Sequence, residues 1–324
     1  MKRPVQKKII YIVVAAAIRV LGLLPFEISR KIGESIGYLL FKLSRKHRLI
    51  AYDNLKLSFP QKGEGEIWEI TEQVFLNIGI MLAEVAAASV QGERWIKEHV
   101  SIEGREHLED ALGKGKGVLL LTGHLGNWEY VALGIGREFP LSFVARPLDN
   151  EYLSDFITSL RTMFGSEMIN NKRAPYKIMD ALKRKRAVAI LMDQNVLWDH
   201  GIFVDFFGRP ACTTPVIPVV ALKTGAPILP VFAIRVSPGR IKIIIKEEVR
   251  FEPTGDKKED TKRYTQLLTK VIESNIRDYP DQWFWVHRRW KSKEPAPLQP
   301  PSSPFVKGNN PQPPFSKGEL EMGE

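Results

Sequence analysis

Two of the six histidines in this 324-residue chain have a carboxylate five residues further on: His124 with Glu129, and His200 with Asp205. With 37 acidic residues in the chain, chance alone supplies nearly one such pair, so the spacing argues little by itself. Context separates them. His124 directly follows the apolar run Val118–Thr122 and opens a helical pattern. Open parallel sheets present reactive groups at such carboxyl ends of strands. A histidine there can take a proton near neutral pH. A carboxylate in the first turn of the following helix would fix its tautomer and favour its charged form. Position alone leaves a helix-capping or core-bonded histidine open. His200 sits in the polar stretch Asn195–Gly201 and reads as loop surface. Two other patterns fail on context. Gly33-Glu34-Ser35-Ile36-Gly37 matches a serine nucleophile elbow, which needs a strand before it, but it lies inside a helical pattern. Gly113–Gly117 lacks the Gly-Lys-Ser/Thr ending of a phosphate loop and precedes a strand, so it reads as a turn. Cys212 is the one cysteine, which excludes a disulfide framework and a cysteine-based zinc site.

Short apolar runs predict the strands that hold these residues: Val118–Thr122, Leu141–Arg146, Ala187–Met192, Ile228–Arg235 and, as an edge strand, Ile241–Lys246. Helical patterns fill the gaps at 127–137, 151–165, 174–186, 213–224 and 259–278. Residues 45–110 read as largely helical, with Trp68–Val90 the longest pattern. Strands alternating with helices of this length make an α/β fold, a mainly parallel sheet flanked by helices. Its strand ends fall at His124, at Arg146-Pro147 and at Asp193-Gln194.

The formal net charge is +10, and residues 1–50 carry +9 of it. A nucleic-acid enzyme spreads its basic footprint along a working face. Here the charge surrounds the most apolar part of the chain, which points to an anionic membrane surface and away from nucleic acid. The apolar run 9–24, interrupted by Arg19, spans roughly 24 Å as a helix, short of a ~30 Å hydrocarbon core. It reads as a short transmembrane anchor or a helix in one leaflet. A cleaved signal peptide lacks its small-x-small site. Residues 26–44 place Ile28, Ile32, Ile36, Leu39, Leu40 and Leu43 at helical spacing, for a membrane surface or for the domain core. At the other end, residues 292–324 hold 8 of the 22 prolines and repeat Pro-Phe-x-Lys-Gly, a composition expected to be disordered. The expected organisation is an anchor over 1–25, one domain over 26–291 and a tail over 292–324.

The string Thr122-Gly123-His124-Leu125-Gly126-Asn127-Trp128-Glu129 resembles the signature of the glycerolipid acyltransferase superfamily, and its filling is similar to the late acyltransferases of lipid A biosynthesis. Further blocks follow in the family's order. They are Val144-Ala145-Arg146-Pro147, Leu160-Arg161 with Phe164-Gly165, Met192-Asp193-Gln194, Val204-Asp205-Phe206-Phe207-Gly208 with Ala211 and Thr213, Gly225–Val231 and Tyr279–Lys291. Arg48, Asn54-Leu55 and Phe59-Pro60 fit the opening region, so the resemblance covers roughly residues 5–291. Trp198-Asp199-His200 departs from it, where the family is usually shorter or richer in glycine.

The resemblance implies transfer of a fatty acyl chain from a thioester of acyl carrier protein or coenzyme A to a hydroxyl of a lipid A precursor. A lysophospholipid or another glycolipid is the runner-up acceptor. No metal or cofactor is implied. His124 is then the general base and Glu129 its partner. Backbone N–H groups at Gly126 and Asn127 are expected to face the oxyanion. Arg146, beside Pro147 on a strand next to that of His124, would clamp an acceptor phosphate or carboxylate, the alternative being an ion pair with a buried acid such as Asp193. Arg161, Asp193, Gln194, Phe207, Gly208 and Thr213 are expected around the substrates. Arg288, Arg289 and Lys291 with three tryptophans suggest an interfacial edge or a packed terminal segment. The implied location is the cytoplasmic (inner) membrane, with the catalytic domain facing the cytoplasm. Two other classes stay open: a metallohydrolase using His124, Asp193, His200 and Asp205, and a non-enzymatic membrane tether.

Overall fold

Seven strands form the central sheet of the computed structural model, in the order β1-β9-β8-β2-β5-β3-β4. Residues 2–294 are described; the tail expected over 292–324 lies outside them apart from its first three residues. The chain runs α1 (Lys2–Leu23), α2 (Phe26–Leu43), α3 (Arg45–Ser58), α4 (Glu64–Gln91), α5 (Glu93–His99), β1 (Val100–Glu103), α6 (Arg105–Gly113) and β2 (Val118–Thr122). A π-helical segment, Val131–Ile135, leads into α7 (Gly136–Glu138). Then come β3 (Leu141–Ala145), α8 (Glu151–Thr162), β4 (Glu167–Asn170), α9 (Ala174–Lys183), β5 (Ala187–Leu191), β6 (Ile202–Phe206), β7 (Arg209–Thr213), α10 (Val216–Thr224), β8 (Ile228–Ser237), β9 (Arg240–Ile245) and α11 (Lys257–Asp278).

Five strands run parallel, while β9 and its parallel neighbour β1 run the opposite way, because β8 and β9 form a hairpin. The sheet is thus mainly parallel and flanked by helices, as its pattern predicts. Two details differ. β9 is not an edge strand, since β1 pairs along its outer side. β3 is not next to β2 either: β5 lies between them. β1 and β4, four residues each, are too short for their pattern to stand out. Alternate residues of the central strands point to opposite faces. Leu119, Leu121, Val188, Ile190 and Ile228 enter one core with α9, α10, α11, Trp283 and Trp285. Val118, Leu120, Ala187, Ala189 and Leu229 enter the other with α6, the π-helical segment and Trp95. Each fully buried leucine or isoleucine contributes about 1.5–3 kcal/mol, so the middle of the sheet is a stiff frame for the groups at its ends.

The helix expected over 127–137 takes π geometry over Val131–Ile135, and its glycines lie in close contacts. A side chain at Gly134 would strike Ile243, and one at Gly136 would strike Ser166. β6 and β7 form a separate hairpin. Its two turn residues, Phe207 (φ 54°) and Gly208 (φ 74°), both have positive φ, the backbone of a two-residue type I′ turn.

Helix α4 is the spine for the N-terminal helices. Among the described residues it is the one helix long and apolar enough to cross a membrane, yet it buries Thr71 and Glu84 in the protein. Helix α2 lies on it through Ser29, Gly33, Gly37 and Phe41. A methyl group at Gly33 or Gly37 would meet the carbonyl of Gly79 or Phe75, so the two backbones are almost in contact. The glycines of the elbow-like motif therefore serve helix packing. This turns the aliphatic stripe outward: Ile28, Ile32, Ile36, Leu39, Leu40 and Leu43 are all exposed, Leu43 by 74%. Helix α1 reaches from α4, where Gly22 meets Ala86, to α8. There Lys7 pairs with Glu151 at 2.7 Å and Tyr11 stacks on Tyr152.

Candidate active site

Strands β2 and β5 are in register, Thr122 opposite Leu191. Two residues beyond each, His124 and Asp193 face one another. Asp193 Oδ1 lies 2.8 Å from His124 Nδ1, and Oδ2 accepts the His124 backbone N–H at 2.7 Å. Trp283 Nε1 donates to the same Oδ2 at 2.7 Å. Gly123 makes room, since a Cβ there would sit 3.1 Å from Oδ2. Burial pushes the Asp193 carboxyl up, but the charge of His124 and the hydrogen bonds from His124 and Trp283 outweigh it and hold the group down at about 2. A carboxylate accepting at Nδ1 leaves the lone pair on Nε2, the tautomer a general base needs. Gln194 Nε2 stands 3.2 Å from that nitrogen.

This corrects the role expected for Glu129. Its two oxygens accept Nε and Nη2 of Arg161, each at 2.6 Å, and Trp128 Nε1 at 3.1 Å. The nearer carboxylate in sequence is committed to Arg161 on α8, and the distant Asp193 serves the imidazole. Arg161 is thus first a partner of Glu129, within the cavity wall.

The backbone groups expected at the oxyanion are also spent. Gly126 N–H donates to Gln282 O at 3.0 Å and Asn127 N–H to Ala233 O at 2.9 Å. Gly126 has φ +64°, and a side chain there would strike the Ala233 carbonyl. The Asn127 amide is buried and donates to Glu84 Oε2 at 2.9 Å. Glu84 in turn pairs with Arg235 and is fully buried. This ion pair, which the sequence does not announce, ties α4 and β8 to the loop after His124.

A cavity of about 1140 Å³ opens over His124. Val131, Ala132, Phe143, Ala189 and Leu191 form an apolar wall, and Glu129, Arg146, Arg161, Arg173, Gln194 and His200 add polar groups. Arg146 is 76% exposed at the rim, 3.5 Å from Asp149, so the alternative pairing with Asp193 does not exist. Pro147, half-buried, carries the chain away from β3.

Three expected substrate contacts lie elsewhere. Phe207 is buried against Phe59 and Trp285, its N–H donating to Glu273 at 2.8 Å. Gly208 completes the hairpin turn. Thr213 is buried and accepts Nη2 of Arg289. None of the three lines the cavity. Arg289 itself is fully buried, donating to Cys212 O at 2.8 Å, and burial lowers its guanidinium to about 10. With Trp283 and Trp285 also buried, the terminal segment is packed through these three side chains, while Arg288 and Lys291 stay exposed. The four residues of the metallohydrolase reading do not converge: His124 and Asp193 pair with each other, His200 lines the cavity, and Asp205, on the hairpin, is held by Lys270 of α11. Among the described residues no three His, Cys, Asp or Glu side chains gather as metal ligands.

The arrangement offers a histidine base beneath a cavity with an apolar wall, the Gln194 amide over its Nε2 and cations at the rim. It suits deprotonation of a hydroxyl beside an aliphatic substrate. A family described as bacterial lipid A biosynthesis acyltransferase matches residues 2–292. The lipid A biosynthesis lauroyltransferase of Escherichia coli (strain K12) is 28% identical over 271 residues, 83% of this chain and 87% of that one. The palmitoleoyltransferase of the same organism is 27% identical over 274 residues, with 83% and 87% covered. A phosphatidylinositol mannoside acyltransferase of Mycobacterium tuberculosis (strain ATCC 25618 / H37Rv) is 29% identical over 195 residues, 58% of this chain and 59% of that one.

Proposed function

Since the chain belongs to the bacterial lipid A biosynthesis acyltransferase family, we propose that this acyltransferase moves a fatty acyl chain from acyl carrier protein or coenzyme A to a hydroxyl of a lipid A precursor at a membrane surface. The observation that carries the mechanism is the His124–Asp193 pair beneath the cavity. His124 Nε2 takes the hydroxyl proton as the oxygen attacks the thioester carbon. Asp193 stabilises the imidazolium that forms. The tetrahedral intermediate collapses, the C–S bond breaks, and the proton on Nε2 passes to the leaving thiolate. The apolar wall of Val131, Ala132 and Phe143 suits the acyl chain, and Arg146 suits an acceptor phosphate. The proposed reaction uses no cofactor beyond the thioester.

For the membrane, the support is the outward aliphatic stripe of α2 with exposed Ile9, Ile10, Ile12 and Val13 on α1. Lys31, Lys42, Arg45 and Lys46 accompany it and suit anionic headgroups. We place the enzyme on the cytoplasmic (inner) membrane, its catalytic domain facing the cytoplasm. A second reading has another glycolipid or a lysophospholipid as acceptor, and the similarity to a phosphatidylinositol mannoside acyltransferase favours it. Mass spectrometry of products from the purified full chain, with each thioester and each acceptor class offered in turn, tests both. A lipid A precursor gaining one acyl chain supports the first reading. Acylation of the other lipids alone replaces it with the second.

A further inference from the structure

We propose that Gln194 is the oxyanion donor of this site, its carboxamide capping the base in the resting enzyme and turning to the thioester carbonyl when the acceptor binds. The inference rests on the acyl-transfer reading above.

Most donors near His124 are already spent. The N–H groups of His124, Gly126 and Asn127 donate to Asp193, Gln282 and Ala233. Arg161 holds Glu129 through two nitrogens. The Asn195 amide donates to Val196 O and Ser292 Oγ, both at 3.0 Å. Gln194 is the side-chain donor that stands on the reacting nitrogen itself, its Nε2 3.2 Å from His124 Nε2. In the neutral imidazole, with its proton held on Nδ1 by Asp193, His124 Nε2 accepts and the Gln194 amide donates to it. That bond uses one of the two amide N–H groups.

An acceptor hydroxyl must come within roughly 2.6–3.2 Å of His124 Nε2, the place Gln194 now fills. It therefore displaces the carboxamide. The thioester carbon sits beyond the attacking oxygen, with its carbonyl oxygen to one side. Oxyanion donors belong about 2.7–3.1 Å from that oxygen. A short swing of the Gln194 side chain reaches it. The neighbouring Asn195 is locked to Ser292, and Arg289 Nη1 lies 3.5 Å from Gln194 O, so the swing is confined to the side chain. The balance is complete. The hydroxyl proton goes to His124 Nε2, the new C–O bond pushes the carbonyl electrons onto oxygen, and Gln194 N–H groups bond that oxygen. On collapse the C–S bond breaks, and the thiolate takes the proton from His124.

The test uses the purified full chain and two variants of similar size, Gln194→Met and Gln194→Glu. Diethyl pyrocarbonate, which attacks the free imidazole lone pair, is applied to the resting protein, and modification of His124 is followed by peptide mass spectrometry. Turnover is measured with lauroyl-acyl carrier protein and lauroyl-CoA on a lipid A precursor. Removal of the cap in Gln194→Met is expected to speed modification about fivefold while kcat falls about 10²–10³-fold. Gln194→Glu, which puts a negative charge beside the oxyanion, is expected to be slower still. Opposite movement of reactivity and turnover is what a spacer cannot produce. A Met variant within about threefold of wild-type kcat overturns the proposal, whether modification speeds up or not, and so does a Glu variant faster than the Met one. Wild-type protein that acylates nothing overturns the acyl-transfer reading itself, and the proposal with it.

Discussion

Asp193 and His124 are 69 residues apart in the chain and 2.8 Å apart in space, because β2 and β5 are neighbours in register. The carboxylate five residues from His124 belongs instead to Arg161. The two acidic groups therefore carry different work, one electrostatic at the imidazole and one architectural in the cavity wall.

Glu129→Gln is accordingly expected to act on stability. It breaks a partly buried, two-point ion pair and leaves Arg161 short of its acceptors, a loss of about 1–3 kcal/mol. Thermal unfolding checks this. The pH dependence of kcat/KM in the folded fraction should be unchanged, and a displaced acid limb would return Glu129 to the role of base partner.

Arg146 is exposed, so Arg146→Lys should shift stability by no more than about 0.5 kcal/mol. A guanidinium grips a phosphate through two parallel bonds and an ammonium does not. The expected effect is a rise of about tenfold in acceptor KM with donor KM nearly constant. Kinetics with each substrate varied in turn reads this, and equal changes in both constants would contradict it.

Periodicity in the sequence locates β2, β3, β5 and β8 and the strand-end position of His124, since buried strands are continuous apolar runs. It does not reveal strand order, which depends on which helices cover which strands. Asp193 is therefore visible as a strand-end residue but not as the partner of His124. Helical spacing finds the aliphatic stripe of α2, but not that Gly33 and Gly37 let the opposite side meet α4. The blocks of the family resemblance mislead in another way: Phe207-Gly208 form a turn and Thr213 is buried against Arg289, because motif membership says nothing of which side a residue faces.

The α2 stripe gives a membrane prediction. Ile32→Ser, Ile36→Ser and Leu39→Ser together alter exposed positions and leave the packed face of Ser29, Gly33 and Gly37 untouched. Flotation with vesicles containing phosphatidylglycerol should show weaker binding of the triple variant at unchanged melting temperature. Undiminished binding would move the contact to α1 or elsewhere.

His287 supplies a pH prediction. Burial lowers its imidazole from the ordinary value near 6.5 to about 4. A group whose folded pKa is depressed is protonated more readily in the unfolded chain. Its contribution to stability is thus complete above about pH 6.5 and is lost progressively towards pH 4. Melting temperature should fall over that interval, and less steeply in His287→Gln. An identical slope in the variant would assign the acid sensitivity to other groups.

The His124–Asp193 pair is expected to drive acyl transfer in this cavity. It is tested most directly by single-turnover transfer from a lauroyl thioester to a lipid A precursor, comparing wild type, His124→Ala and Asp193→Asn, with folding checked by thermal melts. One acyl chain added by wild type and a rate about 10²–10⁴-fold lower in each folded variant are the expected results. A folded His124→Ala that keeps more than about a tenth of the wild-type rate contradicts them.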